Sequence, residues 1–219
     1  MGAKAIRDTR RGEIIAAAQD LFSRKGYHGT SMPEIAQAAG ISTGLIYYIF
    51  PSKEDILVAL CEEGAALHNN LFKRASAIVN PLERFDFIVR KLYTGLDKGS
   101  KHLIIMYRDT STLKREKRQR ILPIITQLDQ LFLELIQEGQ EKGVFSQDIP
   151  HPHVLAANVV SLGHQWALQK TWRFAPTVDL ETYITAQLNY FHTLLLNTSY
   201  SASGDHPNEA PSMDQLPGS

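Results

Sequence analysis

Two observations predict an all-α chain. Apolar residues recur every three or four positions from Ile14 to Leu195, with none of the strict apolar–polar alternation that a half-buried strand requires. Helix punctuation falls at the ends of those runs: Ser31 with Glu34, Ser42, Ser52 with Asp55, and Asn80 before Pro81 as starts, and Gly26 and Gly143 as stops.

The first helix runs from about Asp8 to Lys25, with Ile14, Ala17, Ala18, Leu21 and Phe22 on one side. At Ser31 and Glu34 a hydroxyl and a carboxylate three residues apart can satisfy each other's orphan amides, a capping box that opens a short helix striped by Ile35, Ala36 and Ala39. Gly40 then supplies a left-handed turn, and Ser42 caps a second short helix whose inner face reads as Leu45, Ile46 and Ile49. Two capped helices around one tight turn, covered by a longer one, form a helix-turn-helix head over residues 7–53, the arrangement that places a recognition helix in a DNA major groove. Gly44 supports that reading. A glycine inside a helix costs about 1 kcal/mol against alanine, and close approach of DNA supplies a reason for it. Ser42, Thr43, Gly44, Tyr47 and Tyr48 are therefore candidate DNA contacts, the plainer alternative being a surface helix whose hydroxyls and rings face water or a neighbour.

Residues 54–198 read as a second, helical body that holds an effector and dimerises. It starts inside continuous structure, because the helix opened by Ser52 continues through Ile56, Leu57, Leu60, Leu67 and Leu71. Asn80-Pro81 begins another toward Lys98, with Phe85, Ile88, Val89 and Leu92 inward. A short helix over residues 102–109 and a long one over residues 113–142 follow, the latter carrying Ile121, Ile125, Leu128, Phe132 and Leu135. The last two helices bear the stripes Leu155, Val159, Leu162, Trp166 and Leu180, Ile184, Leu188, Phe191, Leu195, and are the natural elements of a dimer seam. From residue 199 to residue 219 Ser, Gly, Pro, Asn and Asp dominate, the composition of a disordered tail.

Over its 219 residues the chain is formally neutral, but its charge is uneven: up to Lys53, seven lysines and arginines stand against four carboxylates. That local excess suits phosphate contacts. A single cysteine, Cys61, excludes an internal disulfide framework and a thiolate-rich zinc cage. No apolar run approaches the roughly 20 residues of a membrane span, and the basic N-terminus lacks the apolar core of a signal peptide, so the expected location is cytoplasmic.

The motifs Gly-Tyr-x-Gly-Thr-Ser, Ile-Ala-x-Ala-Ala-Gly-Ile-Ser-x-Gly-x-Ile-Tyr-Tyr and Phe-Pro-Ser-Lys-Glu, between Gly26 and Glu54, resemble the tetracycline-repressor family. The resemblance covers roughly residues 7–60 and implies a homodimeric transcriptional regulator. The helix opened by Ser42 would enter the major groove, while Thr30, Tyr47, Tyr48 and Lys53 approach phosphates. Two positions depart from the pattern: Leu45 stands where a small hydroxyl residue is usual, and Ile49 where an aromatic or His often reaches the backbone. A second, shorter resemblance lies in Met106-Tyr-Arg-Asp-Thr-Ser-Thr-Leu, Trp166-Ala-Leu-Gln-Lys-Thr-Trp and Leu180-Glu-Thr-Tyr-Ile, which look like the subgroup responding to fatty acyl-CoA. It implies a repressor released from operator DNA by such a hydrophobic effector.

Candidate effector residues are Met106, Tyr107, Arg108, Arg115, Arg118, Leu128, Leu162 and Trp166. Each has a plainer reading. The run Lys114 to Arg120 is either a solvated helix face or an anion site at a helix start. Arg108 either pairs internally with Asp109 or anchors the edge of a cavity, and Trp166 and Trp172 either pack in a core or seam or stack on a ligand. His151-Pro-His153 reads as structural, with no metal assigned, and no glycine-rich phosphate loop, nucleophile elbow or Cys–His constellation suggests an enzyme or a cofactor. The rival readings are a sensor of a drug-like or aromatic compound, and a helical enzyme or binding protein with a degenerate head.

Overall fold

The computed structural model describes residues 3–99, 103, 105, 115–174 and 177–196. Among these, the regular elements are helical throughout. The head comprises α1 (Ala3–Lys25), α2 (Met32–Ala38) and α3 (Thr43–Ile49); α4 (Lys53–Ala75) leads into the body of α5 (Pro81–Lys98), α6 (Arg115–Glu141), α7 (Pro152–Gln169) and α8 (Leu180–Leu196).

Local hydrogen bonds start these helices where the sequence places the caps. Ser31 accepts from the Glu34 amide while the Glu34 carboxylate accepts from the Ser31 amide, Ser42 accepts from Leu45, and Asn80 accepts from Leu82 and Glu83. The Lys25 ammonium, then the Ser31 hydroxyl and amide, hold the exposed Glu34 carboxyl down to about 2. Gly40 adopts φ +65° between α2 and α3, a conformation that a side chain would strain.

Two apolar cores result. Ile14, Ile15, Phe22, Ile35, Ile46 and Ile49 close the head, and the first half of α4, Ile56 to Cys61, belongs to that same core. The body core holds Phe85, Tyr93, Phe132, Val159, Ile184 and Phe191. At its centre the Phe85 ring meets those of Phe132 and Phe191 edge-on at 5.8 Å each. The cores are not independent, because Ile121 of α6 is buried in the head core.

Several expectations change. Leu45 is not on the inner face of α3: it is exposed while Ile46 and Ile49 are buried, since a helix of seven residues turns only one narrow stripe toward its support. The stripes proposed for a dimer seam face inward instead. Leu155, Val159, Ile184 and Leu188 are buried in their own body core, so any partner must meet the other side of α7 and α8. The expected helix over residues 102–109 and the tail over residues 199–219 lie outside the described residues, except that Leu103 and Ile105 are helical.

Candidate functional site

The exposed side of α3 presents Thr43, Gly44, Leu45, Tyr47 and Tyr48, with Ser42 at its cap. Tyr47 is 48% and Tyr48 74% exposed, large values for rings of this size on a rigid head. Helix α3 contains no carboxylate to repel a polyanion. A Cβ added to Gly44 would meet no atom within 4 Å, so nothing in the head itself demands a glycine there.

Thr30 and Lys53 occupy a different position from that face. Thr30 is buried, and its hydroxyl donates to the Gly26 carbonyl at 2.9 Å. The Lys53 ammonium donates to the carbonyls of Tyr27 and Thr30, both at 2.6 Å, and sits 4.2 Å from the centroid of the Tyr27 ring. It ties the start of α4 to the loop between α1 and α2, and a lysine has three N–H donors.

A cavity of about 460 Å³ lies where head and body meet. Gln19 of α1, Leu60, Cys61, His68 and Leu71 of α4, Leu92 and Leu96 of α5, Ile124 and Leu128 of α6, and Val160 and His164 of α7 line it, together with Leu103. Glu63, Leu67, Lys91, Gly95 and Gly99 are also in the lining and are themselves exposed, which marks the side open to solvent among the described residues. Leu60 and Cys61 belong at once to this wall and to the head core. Whatever fills the cavity therefore presses on residues that hold the head.

Of the candidate effector residues, Leu128 lines this cavity. Leu162 lines a shallow depression on the outer side of α7 and α8, with Asn158, Ser161, Gln165, Gln187 and Tyr190. Trp166 is packed elsewhere in the body, its ring against Phe174 and Tyr183 and its indole N–H donating to Asp97 at 2.9 Å; Trp172, by contrast, is exposed. Arg115 and Arg118 are exposed on the first turns of α6, Arg118 about 9 Å along the helix from Ile124. Met106, Tyr107 and Arg108 lie outside the described residues. His68 and His164 were not singled out as effector residues from the sequence. The available signal was two mid-helix histidines among the glycines Gly64, Gly95 and Gly163, where small residues leave room between helices.

The chain is a helix-turn-helix DNA-binding regulator by fold and by its exposed α3. Residues 14–60 match the profile of bacterial regulatory proteins, tetR family, and residues 79–168 that of the tetracyclin repressor-like C-terminal domain. Over 178 residues, 81% of this chain and 76% of the relative, it is 30% identical to the HTH-type transcriptional regulator HbdR of Aromatoleum sp. (strain CIB). The chain belongs to the tetR family. Its fold is shared with AibR, solved in complex with isovaleryl coenzyme A and operator DNA, at a TM-score of 0.68 and 24% identity over 83% of this chain and 97% of that one. It is shared equally with FadR from Bacillus subtilis in complex with stearoyl-CoA, at a TM-score of 0.71 and 20% identity over 84% and 96% of the two chains.

Proposed function

We propose that this regulator is a homodimeric repressor, acting in the cytoplasm, that leaves its operator when a hydrophobic effector of the acyl-CoA class enters the cavity between head and body. The observation that carries this reading is the shared wall. Leu60 and Cys61 serve the head core and the cavity together, and Gln19 reaches the cavity from α1 itself. An effector that fits one setting of α1 and α4 better than another shifts the spacing of two heads by its differential affinity. The partner-facing side of α7 and α8 is the outer one, with Val154, Leu162 and Tyr190. AibR and FadR, solved with CoA thioesters, support the effector class.

The test is a titration of the protein bound to DNA fragments it retains from its own genome, using straight-chain acyl-CoA thioesters of increasing length. Potency should rise by about 0.8 kcal/mol, roughly fourfold, per methylene until the cavity is full. Reversing both charges, Arg115→Glu with Arg118→Glu, should weaken the CoA ester more than the free acid if these exposed cations meet the CoA phosphates. If no thioester of any length releases the DNA and a planar aromatic compound does, the acyl-CoA reading fails and the aromatic sensor replaces it.

On the DNA side, Thr30, Ser42, Thr43, Gly44, Leu45, Tyr47, Tyr48 and Lys53 are proposed as the interface, Leu45 and the tyrosines through exposed side chains and Thr30 through the loop it orders. Lys53→Ala should weaken binding to all sequences alike and reduce the salt slope by about 1, because a third N–H remains to meet a phosphate after two carbonyls are satisfied. An unchanged salt slope accompanied by a lower melting temperature would assign Lys53 to the loop alone.

A further inference from the structure

Two imidazoles line the cavity from different helices, His68 on α4 and His164 on α7. Around them the wall is hydrocarbon: Leu71, Leu92, Leu128 and Val160. A chamber meant for a plain alkyl chain gains nothing from imidazoles in its wall, since a polar group in apolar surroundings is costly unless it makes hydrogen bonds. Burial, and beyond it the charge of His68, draw the His164 pKa down to about 4, so at neutral pH its ring is uncharged and presents one N–H donor and one nitrogen acceptor. The Cys61 thiol beside them is pushed up to about 12 by burial and is likewise neutral.

Two ligand classes fit these groups poorly. Two ring nitrogens on separate helices make no metal cage, and among the described residues no third His, Cys, Asp or Glu completes one. A buried anion would need a cation, but apart from the two imidazoles, ionic charge in the lining is confined to the exposed Glu63 and Lys91, and burial already raises the Glu63 carboxyl. The interior is polar without being charged. That combination matches an oxygen that can donate or accept one hydrogen bond.

We propose that the cavity selects a ligand whose buried apolar portion carries a neutral oxygen function, a hydroxyl or a ketone, hydrogen-bonded by His164 with His68 on the neighbouring wall, and that it discriminates against the same skeleton without the oxygen. The inference rests on the reading of this cavity as the effector site but not on the CoA moiety. Selection follows from asymmetry: a site built around a hydrogen-bonding group leaves that group unmatched when the oxygen is missing, whereas a purely apolar pocket would favour the hydrocarbon by its easier desolvation.

The test uses three soluble probes with one carbon skeleton, ethylbenzene, 1-phenylethanol and acetophenone, added to the full-length protein without DNA. Affinities are followed by titration and the histidine ring resonances by NMR. The expected result is that the alcohol or the ketone binds at least tenfold tighter than ethylbenzene, that its addition moves the His164 ring signals, and that His164→Leu reverses the preference. His164→Gln, which keeps a neutral donor and acceptor, should retain part of it, and it serves as the variant of record should the leucine protein fail to fold. Ethylbenzene binding as well as its oxygenated partners, an unchanged preference in the variants, or no binding of any probe would each overturn the proposal. Should the preference hold while acyl-CoA thioesters leave operator complexes intact, the acyl-CoA reading falls and this one stands.

Discussion

Gly44→Leu is expected to abolish selective operator binding while leaving the protein folded. Leucine has the higher helix propensity by close to 1 kcal/mol, and an added Cβ meets nothing of the protein within 4 Å, so α3 should be at least as stable as before. Ile46 and Ile49, which fasten α3 to the head, point the other way. The new side chain lies on the face shared by Thr43, Tyr47 and Tyr48, where the helix backbone must come close to base edges. Affinity for the operator should fall to the level of random DNA, a loss on the order of a thousandfold or more. Fluorescence anisotropy with operator and random duplexes, beside a circular-dichroism melt, separates the two effects. Normal operator binding by a folded Gly44→Leu protein would place the groove-facing surface elsewhere.

A second glycine substitution should do the opposite, wrecking stability at a site far from the proposed DNA face. A Cβ on Gly163 of α7 would stand 2.6 Å from Cε1 and 2.8 Å from Cδ1 of the Tyr93 ring, and 3.0 Å from a Leu96 methyl. The ring has nowhere to go. Tyr93 is fully buried on α5, and its hydroxyl donates to the Val159 carbonyl at 2.7 Å, one helical turn before the glycine. Gly163→Val must therefore separate α5 from α7 or break that bond, and overpacking of this kind costs about 3 kcal/mol. Urea unfolding followed by tryptophan fluorescence should show the midpoint falling, with Trp166 reporting from the affected core. An unaltered midpoint would mean that the two helices are not held at this distance in solution.

The two glycines show what could and could not be read in advance. Both interrupt helices, and composition treats them alike. Gly44 was interpretable because a capped helix of two turns announced its own context: Ser42, Gly40 and the Ser31–Glu34 box act through hydrogen bonds spanning three residues or fewer. Gly163 needed Tyr93, seventy positions earlier. The same distinction separates Ile46, assigned correctly to the inner side of α3, from Leu45, placed there wrongly. Periodicity alone does not set the width of the buried stripe on so short a helix.

Lys53 and the effector cavity were misjudged for related reasons. A phosphate contact was expected from Lys53, and its ammonium instead caps carbonyls of residues 27 and 30, which only the fold of the loop brings within reach. Trp166 drew attention as a ligand-stacking ring, yet Phe174 and Tyr183 already pack against it. The histidines that do line the cavity looked like isolated residues on two helices almost a hundred positions apart.

By itself the sequence determined the helical class, most helix ends, the helix-turn-helix head and the family, because each depends on spacing or bonding within a few residues. Tertiary structure decided which apolar stripe belongs to the body's own core, which side of α7 and α8 is left for a partner, and where five helices leave room for an effector. Periodicity records that a face is buried without recording what buries it, and a cavity is a property of several helices at once.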